Sequence, residues 1–350
     1  MTDQPPAGRA RMQADRDTLL VHWWQLTEGS EGPLTSMLDL AAIIEARQRI
    51  AALVHRTPLL SSTSLGDLLG GIRLHLKAEL LQRTGSFKPR GVANKLLSLS
   101  DEEKRRGFIA ISRGNHAQAL AYAATRIGQR ATIVMAADAV PAKVQATRAY
   151  GGEVVLTDED IWPLCQRLMR ERGLTLVHPF DDDAVMAGQG TIGLELLEDL
   201  DDFDTVVVPI GGGGLIAGIA TAVKAVRPTV RVIGVEAEAS DAMRRALAAG
   251  HSVTMEGRRT VADGINAPYA GERCLLIVER LVDDVITVSE DEILSGLRLL
   301  VERSKLAAEP AAATPIAALL AGKLKTRPHE RVVAVISGGN LDLGLLGRLG

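Results

Sequence analysis

The sequence predicts an α/β protein built on a mostly parallel β-sheet with helices on both faces, and three observations carry that expectation. Short β-rich apolar runs alternate with stretches of helical periodicity along most of the chain, the pattern of strands joined by crossover helices. Hydrophobic residues make up 46% of the 350 residues while aromatics make up only 3%, so the core must be aliphatic, as suits helices packed on a parallel sheet. Three of the apolar runs end in loops of small or polar residues, and loops at the carboxyl ends of parallel strands are where open α/β sheets bind ligands. The length also suffices for two domains.

Residues 1–36 read as a weakly ordered extension: Pro5-Pro6, mixed charge, Trp23-Trp24 and a Gly-Ser-Pro cluster set them apart, and Met37 could equally begin the chain. Residues 38–54 carry Leu40, Ile43, Ile44, Ile50 and Leu53 at helical spacing and stop before Thr57-Pro58. Residues 72–77 alternate as a half-buried strand that delivers the chain to Thr84–Gly91. Strand 108–111 leads into 112–118 and an alanine-rich helix from Ala119. Further strands lie at 131–135, 153–156 and 174–177, with helices at 143–150 and 161–172. A helix at 193–200 precedes strand 205–210, four glycines and a helix over 215–225. Strands at 230–235 and 284–288, a helix over 290–306 and strand 331–336 lead to the last loop, Ser337-Gly338-Gly339-Asn340.

Composition excludes several classes of function. A formal net charge of −3 and the lack of a basic run speak against nucleic acid as a partner. Cys165 and Cys274 are too few for a disulfide framework and lack metal-ligand spacing, so both read as buried thiols of a cytoplasmic protein. No apolar segment reaches membrane-spanning length and no secretion signal is visible.

Two local patterns carry chemistry. Lys88 stands before Pro89, which lacks an N–H, suits the first helical position and pushes its predecessor toward extended backbone, so Lys88 belongs at a helix entrance. Partial positive charge there and burial both favour the neutral amine, the form that condenses with an aldehyde to a Schiff base. Gly211 to Gly214, between an apolar strand and an apolar helix, let N–H groups approach an oxyanion closely at the positive end of that helix: a phosphate site.

Together with Ser86-Phe87-Lys88-Pro89-Arg90-Gly91, Ser112–Gln118, Ala262-Asp263-Gly264-Ile265, Glu309-Pro310 and Ser337–Asn340, these patterns resemble fold-type II pyridoxal-phosphate enzymes, in the threonine/serine dehydratase and serine racemase branch, from about His55 onward. The resemblance implies the tryptophan synthase β-like fold: a large domain over 37–106 and 184–350, and a smaller mobile domain over 107–183 whose closure excludes water. It implies pyridoxal 5'-phosphate held by Lys88 as the Schiff-base lysine, with Phe87 and Gly264 against the ring, Asn115 at the ring hydroxyl, Gly211, Gly212, Gly213, Gly214 and Leu215 at the phosphate, and Ser337 at the pyridine nitrogen. Ser112, Arg113, Gly114, Asn115 and His116 would receive the substrate carboxylate. The implied activity is β-elimination of a hydroxyamino acid, L-threonine or L-serine, to a 2-oxo acid and ammonia, in a homodimer or homotetramer. A neutral serine at the ring nitrogen favours elimination over transamination.

Arg113 departs from the branch, where racemases carry a serine as second base; arginine cannot accept that proton, which puts serine racemase in doubt and opens threo-3-hydroxyaspartate as substrate. Glu236, with a carbonyl from Ser240, matches a divalent-cation site of the racemases, so a divalent or monovalent cation is a further expectation, but the expected further carboxylate falls near Ala242. The chain ends too soon after Asn340 for an appended regulatory domain. The rival from another class is an NAD-dependent oxidoreductase: four glycines after a strand, with Glu236 ending the next one about 20 residues on, mimic a dinucleotide fingerprint, although Ile216 occupies its third glycine position.

Overall fold

The computed structural model describes residues 37–112, 114–256 and 259–348. The reading of 1–36 and the question of Arg113 therefore lie outside the described residues.

In chain order the strands are β1 (Leu59–Ser61), β2 (Arg73–Lys77), β3 (Phe108–Ile111), β4 (Ala131–Ala136), β5 (Glu153–Thr157), β6 (Thr175–Leu176), β7 (Thr205–Pro209), β8 (Arg231–Ala237), β9 (Asp284–Val288) and β10 (Arg331–Val335). The helices are α1 (Leu40–Ile50), α2 (Thr63–Leu68), α3 (Lys88–Ser98), α4 (Asp101–Arg106), α5 (Asn115–Arg126), α6 (Pro141–Ala149), α7 (Ile161–Arg172), α8 (Asp183–Asp199), α9 (Gly214–Val226), α10 (Ala242–Ala249), α11 (Glu272–Leu281), α12 (Glu290–Leu299) and α13 (Pro310–Leu320). They build two sheets. One runs β1-β2-β10-β7-β8-β9, parallel except for the antiparallel edge strand β1; the other runs β5-β4-β3-β6 and is parallel throughout. All four strands of the second sheet lie between residues 108 and 176.

Period-two alternation assigns the two faces of the larger sheet. Val206, Val208, Val333 and Val335 face the core shared with α8, α9 and α11, while Val207, Val332 and Ala334 face the one shared with α12 and α13. Such strands, buried on both faces, read as the continuous apolar runs seen in the sequence. In the smaller sheet, Phe108, Ala110, Ile133 and Met135 pack toward α5, and Ile109 and Val134 toward α7. Among the described residues no helix is long and apolar enough to cross a membrane.

Three expectations about elements change. The helix expected at 193–200 begins ten residues earlier, because Asp182 caps it by accepting from Val185 N at 3.0 Å. The helix expected over 290–306 ends as α12 at Leu299 and gives way to a π-helical turn over Leu300–Ser304 that closes at Lys305, φ +58°. Strand 174–177 shortens to two residues. The additional α8 turns are buried against α3 and α9 by backbone contact: a Cβ on Gly188 would stand 2.4 Å from Arg90 O, and one on Gly218 2.3 Å from Met186 O.

Candidate active site

Parallel pairing of β2, β10 and β7 brings the loops after these strands to one edge of the larger sheet. Ser86 and Gly338 form an isolated bridge, Phe87 N donates to Ser337 O at 3.0 Å and Gly339 N to Gly85 O at 2.8 Å, so the loop before Lys88 and the last loop are stitched together. Lys88 stands at a helix entrance as expected, but as the first helical residue of α3 rather than in extended backbone ahead of it, with Phe87 as N-cap and Pro89 one position later in the first turn.

Lys88 faces a cleft of about 460 Å³ that is also lined by Ser112, Gly114, Asn115, His116, Gly211, Gly212, Gly264 and Glu309. A smaller inner chamber of about 40 Å³ shares Lys88, Gly211, Gly212, Gly264 and Glu309 with it and is further lined by Phe87, Gly213, Gly214, Leu215 and Ser337. The sequence-predicted residues around Lys88 thus line two adjoining cavities that share Lys88; Glu236 and Ser240 line neither, and Arg113 is outside the described residues. The Lys88 ammonium donates to a neutral partner, Pro179 O, at 2.7 Å and lies 5.1 Å from the Phe87 ring centroid. Burial pulls its pKa down to about 8, against Cys274 and Glu309, which raise it. The amine is therefore far easier to neutralise than an ordinary lysine.

The glycine turn is shaped by close neighbours. Gly213 has φ +102°, a conformation open to glycine, and caps α9; a Cβ on Gly212 would sit 2.4 Å from the Phe180 ring. Across the cleft, Ser112 Oγ accepts from Gly114 N and Ala117 N, each at 3.2 Å, and so orients the start of α5. His116 Nε2 meets Val177 O at 2.9 Å; a carbonyl only accepts, so this nitrogen carries the proton. Burial and the nearby Lys88 push His116 down to about 3, leaving a neutral imidazole.

Several residues joined to this site were missed as site members. Glu309 accepts from Asn115 Nδ2 at 2.8 Å, and Asn340 Nδ2 donates to Asn115 Oδ1 at 2.7 Å and to Thr84 O at 2.9 Å. Burial, reinforced by Asp263, pushes Glu309 up to about 7. One signal was available: Glu309 is a lone acid between Ala307-Ala308 and the alanines that come after Pro310. Phe180 roofs the glycine turn, and Lys143 of α6 pairs with Asp263 across the cleft; neither is announced by a local motif.

The cation expectation is not supported. Glu236 spends both carboxylate oxygens on α10, accepting from Met243 N at 2.8 Å and Arg244 N at 2.9 Å, while Asp241 pairs with Arg245. Among the described residues no group of three or more His, Cys, Asp or Glu side chains converges on a metal position.

Fold and site define an α/β class in which a lysine of depressed basicity and a glycine turn line one cleft of a protein built on two mostly parallel sheets. The chain belongs to the pyridoxal-phosphate dependent enzyme family, whose model matches residues 50–338, and it has the fold-type II architecture. It is 43% identical over 316 residues to the L-threonine ammonia-lyase of Thermotoga maritima, covering 89% of this chain and 78% of that one. Among solved structures, the T.th. threonine deaminase matches with TM-score 0.82 at 45% identity, over 87% of this chain and 99% of that one. Maize serine racemase matches with TM-score 0.85 at 38% identity, over 89% and 97%. This membership sets aside the nicotinamide reading of the four glycines.

Proposed function

We propose that this chain is a pyridoxal-phosphate-dependent ammonia-lyase that removes water and then ammonia from a hydroxyamino acid, L-threonine or L-serine, to give a 2-oxo acid. The observation that carries the reading is the Lys88 amine, recessed beside a neutral carbonyl and opening toward the glycine turn within one cleft. The donor set fits the cofactor: an amine of lowered basicity for its aldehyde, Gly211 to Gly214 and Leu215 at the start of α9 for its phosphate, Asn115 for its hydroxyl, Ser337 for its ring nitrogen, with Phe87 and Gly264 against the ring. When bound, the cofactor supplies an electron sink that acidifies the α-hydrogen of an amino acid.

The protein's own groups bind the substrate and move its proton. Lys88 takes the α-proton, and with a pKa near 8 its neutral form is available close to neutral pH. The substrate carboxylate is received by the α5 start, where first-turn N–H groups point outward and Ser112 holds their direction. His116, neutral, adds no cation there. Asn115 Nδ2 has two protons; Glu309 takes one, leaving the other for a ring hydroxyl, while Asn340 fixes the amide's orientation. Serine at the ring nitrogen leaves the ring uncharged and favours elimination over transamination. Residues 107–183 form a smaller domain that closes over the cleft against a large domain of 37–106 and 184–350, excluding water from the reactive enamine product. Cytoplasmic location and homodimeric or homotetrameric assembly belong to the same reading.

The likeness to maize serine racemase supports a second reading, racemisation of serine. Purified protein is assayed on L-threonine, L-serine and threo-3-hydroxyaspartate for 2-oxo acid, and on L-serine for D-serine. The expected result is 2-oxo acid from threonine or serine, with turnover lowered on the order of a thousandfold by Lys88→Ala. Unchanged turnover in Lys88→Ala would overturn the assignment, and D-serine as main product would select the second reading.

A further inference from the structure

Gln189 lies on α8, is 1% exposed, and lines the inner chamber together with Lys88, Phe87 and Ser337. Neither Oε1 nor Nε2 of its carboxamide has a hydrogen-bond partner in the protein. Buried polar atoms without partners are rare, because leaving one unpaired forfeits its hydration with nothing in return. The neighbouring polar side chains on α8 are satisfied: Thr191 donates to Gly188 O and Glu195 accepts from Arg90. The deficit is confined to the one polar side chain of this helix that reaches the chamber. Gly91 of α3 makes room for it, since a Cβ there would lie 2.4 Å from Gln189 Nε2. A methionine has the same length and would fill this place without the unmet hydrogen bonds, so a carboxamide has a use here that packing does not supply.

We propose that Gln189 is a cofactor-positioning residue whose carboxamide hydrogen-bonds the group held by Lys88 at the floor of the inner chamber. An amide offers donor and acceptor together without charge, which suits a polar heteroaromatic ring or a phosphate ester beside an amine that must stay neutral. The inference rests on the pyridoxal-phosphate reading above.

The test compares wild type with Gln189→Met, each stripped of cofactor, in two measurements: the dissociation constant for added pyridoxal phosphate, monitored by visible absorbance, and the melting temperature of the stripped protein. The expected result is binding weakened about tenfold, the loss of one hydrogen bond, while the stripped variant melts at or above the wild-type temperature because its unmet polar group is gone. A dissociation constant within about twofold of wild type overturns the proposal. So does a stripped variant destabilised as much as the loaded one, the mark of a purely structural side chain. Gln189→Leu repeats the comparison if the methionine variant does not fold, and failure of both in the stripped form also counts against it. Failure of wild type itself to take up pyridoxal phosphate would sink the underlying reading instead.

Discussion

Replacing Gly212 by alanine is expected to destabilise the stripped protein by about 1–3 kcal/mol, through one neighbour. The added carbon would stand 2.4 Å from Cγ and Cδ2 and 2.5 Å from Cδ1 of Phe180, where carbon atoms settle at roughly 3.5–4.0 Å. The ring must therefore withdraw by about 1 Å. Its surroundings resist: His178 stands edge-on at 4.6 Å between centroids and Tyr269 at 5.5 Å, while His178 Nδ1 accepts from Phe180 N at 3.1 Å and Asp181 N at 2.7 Å. Denaturant unfolding of wild type, Gly212→Ala, Phe180→Leu and the double variant forms a thermodynamic cycle. If the ring is the obstacle, the alanine should cost less than half as much once Phe180 is leucine. Equal cost in both backgrounds, within about 0.5 kcal/mol, would refute the reasoning and put the strain in the backbone of the turn.

Glu309→Gln is expected to change how stability depends on pH. A carboxyl whose folded pKa is raised to about 7 contributes stability that is full below its unfolded value and lost as pH rises through 7, so the substitution should remove a decline of roughly 3 kcal/mol between about pH 4.5 and 7, read from denaturant midpoints across that range. Arg90→Met should cost about 3–5 kcal/mol: the guanidinium is 1% exposed, bonded to Glu79 at 2.8 Å and Glu195 at 2.7 Å, and its removal leaves buried carboxylates short of charge. An unfolding midpoint close to wild type would show that Lys77, 2.6 Å from Glu195, suffices to hold the cluster.

What could be read from the sequence was what is local. β7 and β10 are near-continuous valine runs because both faces are covered, and Lys88-Pro89 names a helix entrance by its own backbone chemistry. The first half of α8 escaped because Gly188 and Gly190 look like helix breakers, whereas they serve close approach to α3 and α9. α13 escaped for a different reason: nearly all its residues are buried, so it has no polar face to set a period, and Pro315 stands inside it. Within the site, Lys88, the glycine turn and the Ser112–His116 loop were legible as short motifs. Gln189, Phe180 and Asn340 gain their place from neighbours 101, 32 and 225 positions distant, namely Lys88, Gly212 and Asn115 respectively, and no window along the chain contains those pairs.

The bare-backbone contacts of α8 govern the spacing inside the cleft. One helix is seated against α3, which starts at the lysine, and against α9, which starts at the glycine turn, and at Gly188 and Gly218 backbone meets backbone directly. Amine and anion cradle are thereby mounted on a common beam, and their separation is set by polypeptide thickness rather than by rotamers. A methyl group added at Gly188 or Gly218 would act like a shim in a clamp, spoiling the alignment of two reactive ends while lying outside the cleft lining itself.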